Sequence, residues 1–482
     1  MEPIKASPAE ENPKMSPKVA HRIDEQFIVG LASTLVKRND GAILVFLPGQ
    51  REIESLHRRM RDDRFLGKNA TVLPLYSSLP RNRQRLVFNP PEKGVKIVLS
   101  TNVAETSVTI PDVVHVIDTG IVKESRYKSG SGMKELVTVW ISEASMQQRC
   151  GRAGRVQAGH CWRLFSPETA PVTRFTLPEI FRVPLEDLVL QVFLLEELTG
   201  RGSVAILDWL ATLIEPPAKP AVVHSCVQLQ EVGAITNVDK GVFRLTPLGF
   251  HLAHLPLDVR VAKILVHGCL LSCLDPSLKV AAILSATKPI LYSGRGASAN
   301  GEERENVIDN GYGGRNTGHH ARCDLAAAIS FFDIYKNHFQ PGVRGSRWKW
   351  AKENGMDYDA VSEVEGLISQ FSDLLIDAGF VTREGLESCN ANSEKSIFLQ
   401  CCLVSGLYPN VAVLQRPKVT GKGGNLITRE KERARPHFSS FQMKRVKDAG
   451  ATGKDAYVVF HSKVSKIVGM SYFRFAFSLR FF

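Results

Sequence analysis

The sequence predicts an α/β chain: a parallel sheet wound by helices on both faces, then a mainly helical region with a small hairpin, then a small β-barrel. Three observations carry this. Ala42–Leu47 (AILVFL), Val95–Leu99 (VKIVL) and Val113–Ile117 (VVHVI) are apolar runs rather than alternating ones, as expected of strands buried on both faces. From Pro184 the apolar residues take helical spacing. From Ser396 the runs IFLQCCLVSGLY, NVAVL and AYVVFH read as β-type. A chain of 482 residues has room for three or four domains of ~100–200 residues each.

Taken in order, residues 1–20 are rich in Pro, Glu, Lys and Ser and read as a disordered leader. Residues 21–178 hold the apolar strands, and Pro48-Gly49 breaks the first before a helix with Ile53, Leu56 and Met60 on one face. In such sheets ligands lie beyond the carboxyl ends of the strands. This draws attention to Pro48-Gly49, Ser100-Thr101-Asn102 and Asp118-Thr119-Gly120. Residues 179–257 open with Pro184 at a first helical position and the stripe Leu185, Leu188, Val189, Val192 and Leu195, ending near Gly200. A hairpin around Asn237–Gly241 then suggests a winged-helix module. Residues 258–392 are mainly helical, broken by a Gly/Asn/Glu-rich stretch at 293–318 that reads as a loop. Residues 393–482 make the barrel, incomplete at its C-terminus.

Lys and Arg number 61 against 49 Asp and Glu, a formal charge of +12, which points to an anionic partner such as nucleic acid. The surplus is local. Ten basic residues between Arg416 and Lys447 face only Glu430 and Glu432, so that segment carries +8 of the total. Several cations along one track are what counterion release from a phosphate backbone requires. The nine cysteines show no recurring CxxC pair and no His pair to complete a zinc set, so no metal site is expected. Reduced thiols, no signal-peptide core and no membrane-length apolar run point to the cytoplasm or nucleus and exclude a membrane partner.

The most informative stretch is Gln147-Gln148-Arg149-Cys150-Gly151-Arg152-Ala153-Gly154-Arg155. On a helix or its first turn, Arg152 and Arg155 project from one face and could clamp a transferring phosphoryl group. Gln148 could orient the attacking water. A basic surface helix with ordinary salt bridges fits the bare pattern too. Ser100–Pro111 (STNVAETSVTIP) follows a buried strand and is dense in hydroxyls. Such groups suit contact with phosphate and ribose, or simply cap helix N-termini.

LVFLPG, then STNVAETSVTIP, then VIDTG, then QQRCGRAGR resemble, in order and spacing, motifs IV, V and VI of the DEAH/RHA-like superfamily 2 helicases. LPLYSSLPRNRQRLVFNPP (73–91) and the hairpin-like stretch Lys123–Ile141 extend the resemblance, which covers roughly residues 23–464. It implies a RecA-like second motor lobe, a winged helix, a helical ratchet-like domain and an OB-fold barrel. It also implies an ATP-dependent RNA helicase moving 3′ to 5′, with Gln148, Arg152 and Arg155 facing the γ-phosphate. Ser107 and Thr109 would link nucleotide state to RNA grip. Phe88 would stack on adenine, unless it is a core residue. Gly49, Thr101 and Asn102 would hold RNA phosphates. Arg429, Arg433 and Arg435, interleaved with Phe438, would track single-stranded RNA, unless that segment is a disordered basic loop. Single-stranded or duplex RNA is the implied partner, and the family allows a G-patch-type activator.

The departures are equally specific. GxxxxGK[ST], the loop that cradles β- and γ-phosphates, is absent. No DExH tetrad exists to hold Mg²⁺; Asp24-Glu25-Gln26-Phe27 is a superficial echo. ATP with Mg²⁺ would therefore be held mainly by a first lobe that this sequence lacks, and the chain alone is expected to be inactive. The tail after Val464, SKIVGMSYFRFAFSLRFF, departs from the family's last barrel strands, and Pro111-Asp112 departs from relatives with an acidic residue directly after Thr-Ile. A non-catalytic RNA-binding adaptor and a DNA-directed helicase of the same superfamily are the other readings.

Overall fold

The computed structural model describes residues 23–77, 79, 81–106, 110–128, 133–153, 158–166, 173–239, 241–291, 324–338, 347–415, 425–429, 431, 433–436, 457–466 and 470–479. The expected leader, the stretch 293–318, Ser107, Thr109, Arg155, Phe438 and most of the basic segment lie outside them. The chain divides into two compact units, residues 1–126 with 136–182, and residues 127–135 with 183–482.

The first unit is built on a parallel sheet of five strands: β1 (Ala42–Phe46), β2 (Ala70–Leu75), β3 (Val95–Ser100), β4 (Val113–Asp118) and β7 (His160–Arg163). Their order is β2-β3-β1-β4-β7, and every pairing is parallel. Alternate residues of β1 feed opposite cores. Ile43 and Val45 pack with Ile28, Ile53, Leu56, Met60, Ile97 and Leu99, while Leu44 and Phe46 pack with Val87, Val98, Ala104, Ile110 and Ala153. That two-sided burial is why these strands read as apolar runs. The helix Gln50–Asp62 buries the expected Ile53, Leu56 and Met60. After β1 the chain crosses to β2 at one edge, whereas after β4 it leaves toward β7 at the other. The switch in direction places a crevice at the carboxyl ends of β1 and β4. Two further strands, β5 (Ile121–Lys128) and β6 (Met133–Trp140), are hydrogen-bonded neighbours, the hairpin expected at 123–141.

In the second unit the helix Glu186–Leu198 corrects the expected stripe. It starts after Leu185, so Pro184 precedes the cap. Its buried side is Val189, Leu190, Val192, Phe193 and Leu194, and Leu188 and Leu195 are exposed. The helix Lys219–Val232 follows, then β9 (Ile235–Asp239) and β10 (Val242–Leu245), which turns at Gly241 with φ +77°. With β8 (Ser203–Ala205) they form a sheet in the order β8-β10-β9. Helices then run over Val259–Leu270, Leu274–Ser285, Asp324–His338, Arg347–Glu353 and Tyr358–Asp377.

Ser396–Leu407, read from sequence as β-type, is a helix. Its buried residues Leu399, Cys402, Leu403, Gly406 and Leu407 repeat at three and four, a helical period that the continuous apolarity of the run hides. The helix lies against Val259–Leu270 through Gly406, where an added Cβ would come within 2.3 Å of Ile264. The barrel strands therefore begin at β11 (Val411–Gln415), followed by β12 (Asn425–Thr428), β13 (Arg433–Pro436), β14 (Tyr457–Lys466) and β15 (Met470–Leu479). Their pairings run β11-β12-β13-β15-β14 and return from β14 to β11. The ring is antiparallel except for β13 with β15. The tail beyond Val464, expected to leave the barrel a strand short, supplies that fifth strand: it pairs with β14 from Tyr457↔Leu479 to Lys466↔Met470.

Candidate functional site

Three strand ends meet in the first unit. The helix Glu143–Cys150 is capped by Ser142, whose Oγ accepts from Ser145 N at 3.2 Å. Glu143 N and Ala144 N donate to the carbonyls of Thr173 and Arg174, so the helix start is satisfied. Its last turn carries Arg149, which is fully buried. Arg149 Nε donates to Glu105 Oε2 at 3.0 Å and Nη1 to Asp118 Oδ1 at 2.8 Å. The guanidinium lies 4.7 Å from the Phe46 ring centroid. Glu105 follows β3, Asp118 ends β4 and Phe46 ends β1, so one cation ties the carboxyl ends of the three central strands. Charges this deep are tolerated only when paired.

The same Glu105 serves a second arginine. Its main-chain carbonyl accepts from Arg152 Nη2, and Arg152 is only 8% exposed. The helix ends at Cys150, so Arg152 stands in the turn beyond it rather than on the helix. Gln148 is exposed on the last turn. On the strand next to this turn, burial pushes the Cys161 thiol up to about 12, and its neighbour Cys150 adds to the shift. That thiol stays protonated near neutral pH and supplies no thiolate nucleophile.

The other expected residues distribute as follows. Thr101 is half-buried and Asn102 exposed at the end of β3, and Thr101 N donates to Leu75 O at 3.2 Å. Gly49 is buried at the N-cap of Gln50–Asp62 in extended conformation. Beside it Lys123 Nζ donates to both carboxylate oxygens of Glu52 at 2.8 Å, and a Cβ on Gly49 would meet that ammonium at 2.8 Å. Phe88 ends the 3₁₀ turn Arg85–Phe88 and is 48% exposed. In the second unit Arg433 and Arg435 are exposed on β13 and flank the buried Ala434. Arg429 is exposed and ion-paired with Glu231.

Sequence reasoning drew attention to Asp118 as a strand-end residue but missed its buried partner Arg149 and the Glu105 that shares it. The available signal was Asp118 itself, a carboxylate closing an apolar strand, which needs a cation. These carboxylates do not fit a magnesium site, because Arg149 occupies both. Among the described residues no group of three or more His, Cys, Asp or Glu is placed to hold a metal ion. Nor is any described helix long and apolar enough to cross a membrane.

Residues 26–157 match the family model described as helicase conserved C-terminal domain. Residues 258–353 match that of the helicase associated domain (HA2), ratchet-like. Over 406 residues the chain is 36% identical to DHX57 of Homo sapiens, covering 78% of this chain and 28% of that protein. It is 34% identical over 406 residues to the ATP-dependent DNA/RNA helicase DHX36 of Homo sapiens, covering 82% and 38% respectively. It is 35% identical over 394 residues to the DExH-box ATP-dependent RNA helicase DExH1 of Arabidopsis thaliana, covering 81% and 37%. The chain thus spans well under half the length of these relatives.

Proposed function

Because the chain belongs to the DExH-box superfamily 2 helicases and corresponds to their C-terminal portion, we propose that it supplies the second motor lobe and RNA-handling domains of an ATP-dependent RNA helicase. Such an enzyme would couple ATP hydrolysis to 3′-to-5′ movement along RNA and to its unwinding. The observation that carries this reading is the convergence of Arg149, Glu105, Asp118 and Arg152 at the carboxyl ends of β1, β3 and β4. There, Gln148, Arg152 and Arg155 would face the γ-phosphate of ATP held by an upstream lobe, and that lobe would also hold Mg²⁺. Arg152 must leave the Glu105 carbonyl to reach a phosphate. Ser107 and Thr109, a few residues beyond Glu105, would pass that change to Thr101, Asn102 and Gly49 on the RNA backbone. Phe88 would stack on the base.

The hairpin of β5 and β6 would act as a wedge against the duplex. Residues 179–257, with helices around the sheet β8-β10-β9, support a winged-helix reading. The closed ring β11-β12-β13-β15-β14 supports an OB-fold, whose Arg429, Arg433, Arg435 and Phe438 would follow single-stranded RNA.

The test adds back an upstream nucleotide-binding lobe and follows RNA-stimulated phosphate release. The joined protein should hydrolyse ATP, and Arg152→Ala with Arg155→Ala should lower the rate by about 10³-fold or more. The chain alone should release none. Release by the pure chain, or a joined enzyme indifferent to both substitutions, overturns the reading. DHX36 is named a DNA/RNA helicase, which favours a second reading with a DNA strand. Competition between RNA and DNA single strands separates the two.

A further inference from the structure

The exposed Phe88 and Asp112, part of the Pro111-Asp112 departure noted in the sequence, meet at one buried side chain. Lys96, the second residue of β3, is 2% exposed. Its ammonium donates to Val87 O at 2.8 Å and to Asn89 O at 3.0 Å, and pairs with Asp112 Oδ2 at 2.9 Å. An ammonium has three protons, and here each has an acceptor. The two carbonyls are those on either side of Phe88.

The rest of the turn is fixed as firmly. Val87 is fully buried in the core beneath the sheet, and Asn89 N closes the turn on Leu86 O at 3.2 Å. Gln84 Nε2 anchors the entry by donating to Leu79 O at 2.7 Å. Pro90 and Pro91 stiffen the exit. A phenyl ring half in solvent, on a backbone held this tightly, presents a pre-set planar face. Planar faces of this kind stack with bases of any sequence.

We propose that Lys96 is a positioning residue that fixes Phe88 as a stacking platform for a purine base, with Asp112 completing the clamp. This rests on the reading of Phe88 as the base-contacting ring of the nucleotide site. Asp112, directly after Pro111, supplies the third acceptor for the buried ammonium.

The test uses the full chain with AMP as probe and ribose 5-phosphate as control, read by saturation-transfer NMR at the adenine H2 and H8 protons. The unaltered chain should saturate the adenine protons and not the control. Phe88→Ala should weaken AMP binding about five-fold or more, and Lys96→Met should do the same with an unchanged circular dichroism spectrum. Asp112→Asn, which keeps the fold because Asp112 is 43% exposed, should weaken it about two-fold and speed amide exchange over residues 85–92. If Lys96→Met does not fold, the Asp112 variant decides. Loss of binding in Phe88→Ala with full binding and unchanged exchange in the clamp variants overturns the positioning role and leaves the platform standing. No adenine saturation in the unaltered chain, or none lost in Phe88→Ala, removes the platform and this inference with it.

Discussion

Removing the Arg149 side chain would leave Glu105 and Asp118 buried without a counter-charge. Asp118 is fully buried and Glu105 is 9% exposed, and neither can turn to water without opening the sheet's carboxyl edge. Breaking a buried pair in this way costs about 3–5 kcal/mol. We therefore expect Arg149→Ala to lower the stability of the first unit by about that amount in urea unfolding followed by tryptophan fluorescence. Combining Arg149→Met with Glu105→Gln and Asp118→Asn should recover part of the loss, because no uncompensated charge remains. If Arg149→Ala unfolds like the unaltered chain, the network is not structural. At this scale the site was only half legible. Arg152, Arg155 and Gln148 stood out because they cluster in one motif. Arg149 sits in the same motif, but its partners lie 44 and 31 residues away, and spacing along a chain does not reveal such a contact.

At the scale of elements, legibility followed burial. β1, β3 and β4 are central strands covered on both faces, and their apolar runs announced them. β2 and β7 are the edges of the same sheet. β2 carries Pro74, which an edge strand tolerates, and β7 exposes His160 and Arg163, so neither announced itself. Ser396–Leu407 failed for the opposite reason: it is so apolar that no polar face marks its period. Its contact with the helix Val259–Leu270 is also where pH should act. His267 Nδ1 donates to Lys263 O and Nε2 shares a hydrogen bond with Ser405 Oγ, both at 2.9 Å. Burial holds its pKa below the usual 6.5, and the Lys263 charge adds to that. A proton therefore binds the unfolded chain more tightly, so stability is complete above pH about 6.5 and falls as the pH drops through the lowered value. Thermal unfolding of the second unit between pH 7 and pH 5 should show this decline, and His267→Gln should flatten it. Identical slopes in the two proteins would exclude His267 as the cause.

For the whole molecule the decisive quantity is the placement of charge. The surplus of +12 lies mostly in the barrel, where +8 falls between Arg416 and Lys447. β13 turns Arg433 and Arg435 outward while Ala434 faces the core, the two-residue alternation that lets one strand be both core and cationic surface. If RNA follows that surface, each arginine replaces about one condensed counterion. Substituting both with alanine should reduce the slope of log affinity against log salt by about 1.4 for single-stranded RNA. A filter-binding series across salt concentrations measures it, and an unchanged slope would remove β13 from the RNA path. The composition announced the basic region and the need for an anionic partner, but not the ring of strands beneath it.

That ring also sets an order of events during refolding. β14 and β15 are only three residues apart in the sequence and can zip locally, as can β11 with β12. The β13–β15 ladder is parallel, and residues 437–469 separate its two strands. Contacts across such sequence distances form late, because loop-closure entropy is spent before they return anything. The barrel should therefore be the slowest part of the second unit to regain its native form, with β13 left as an open edge until β15 arrives.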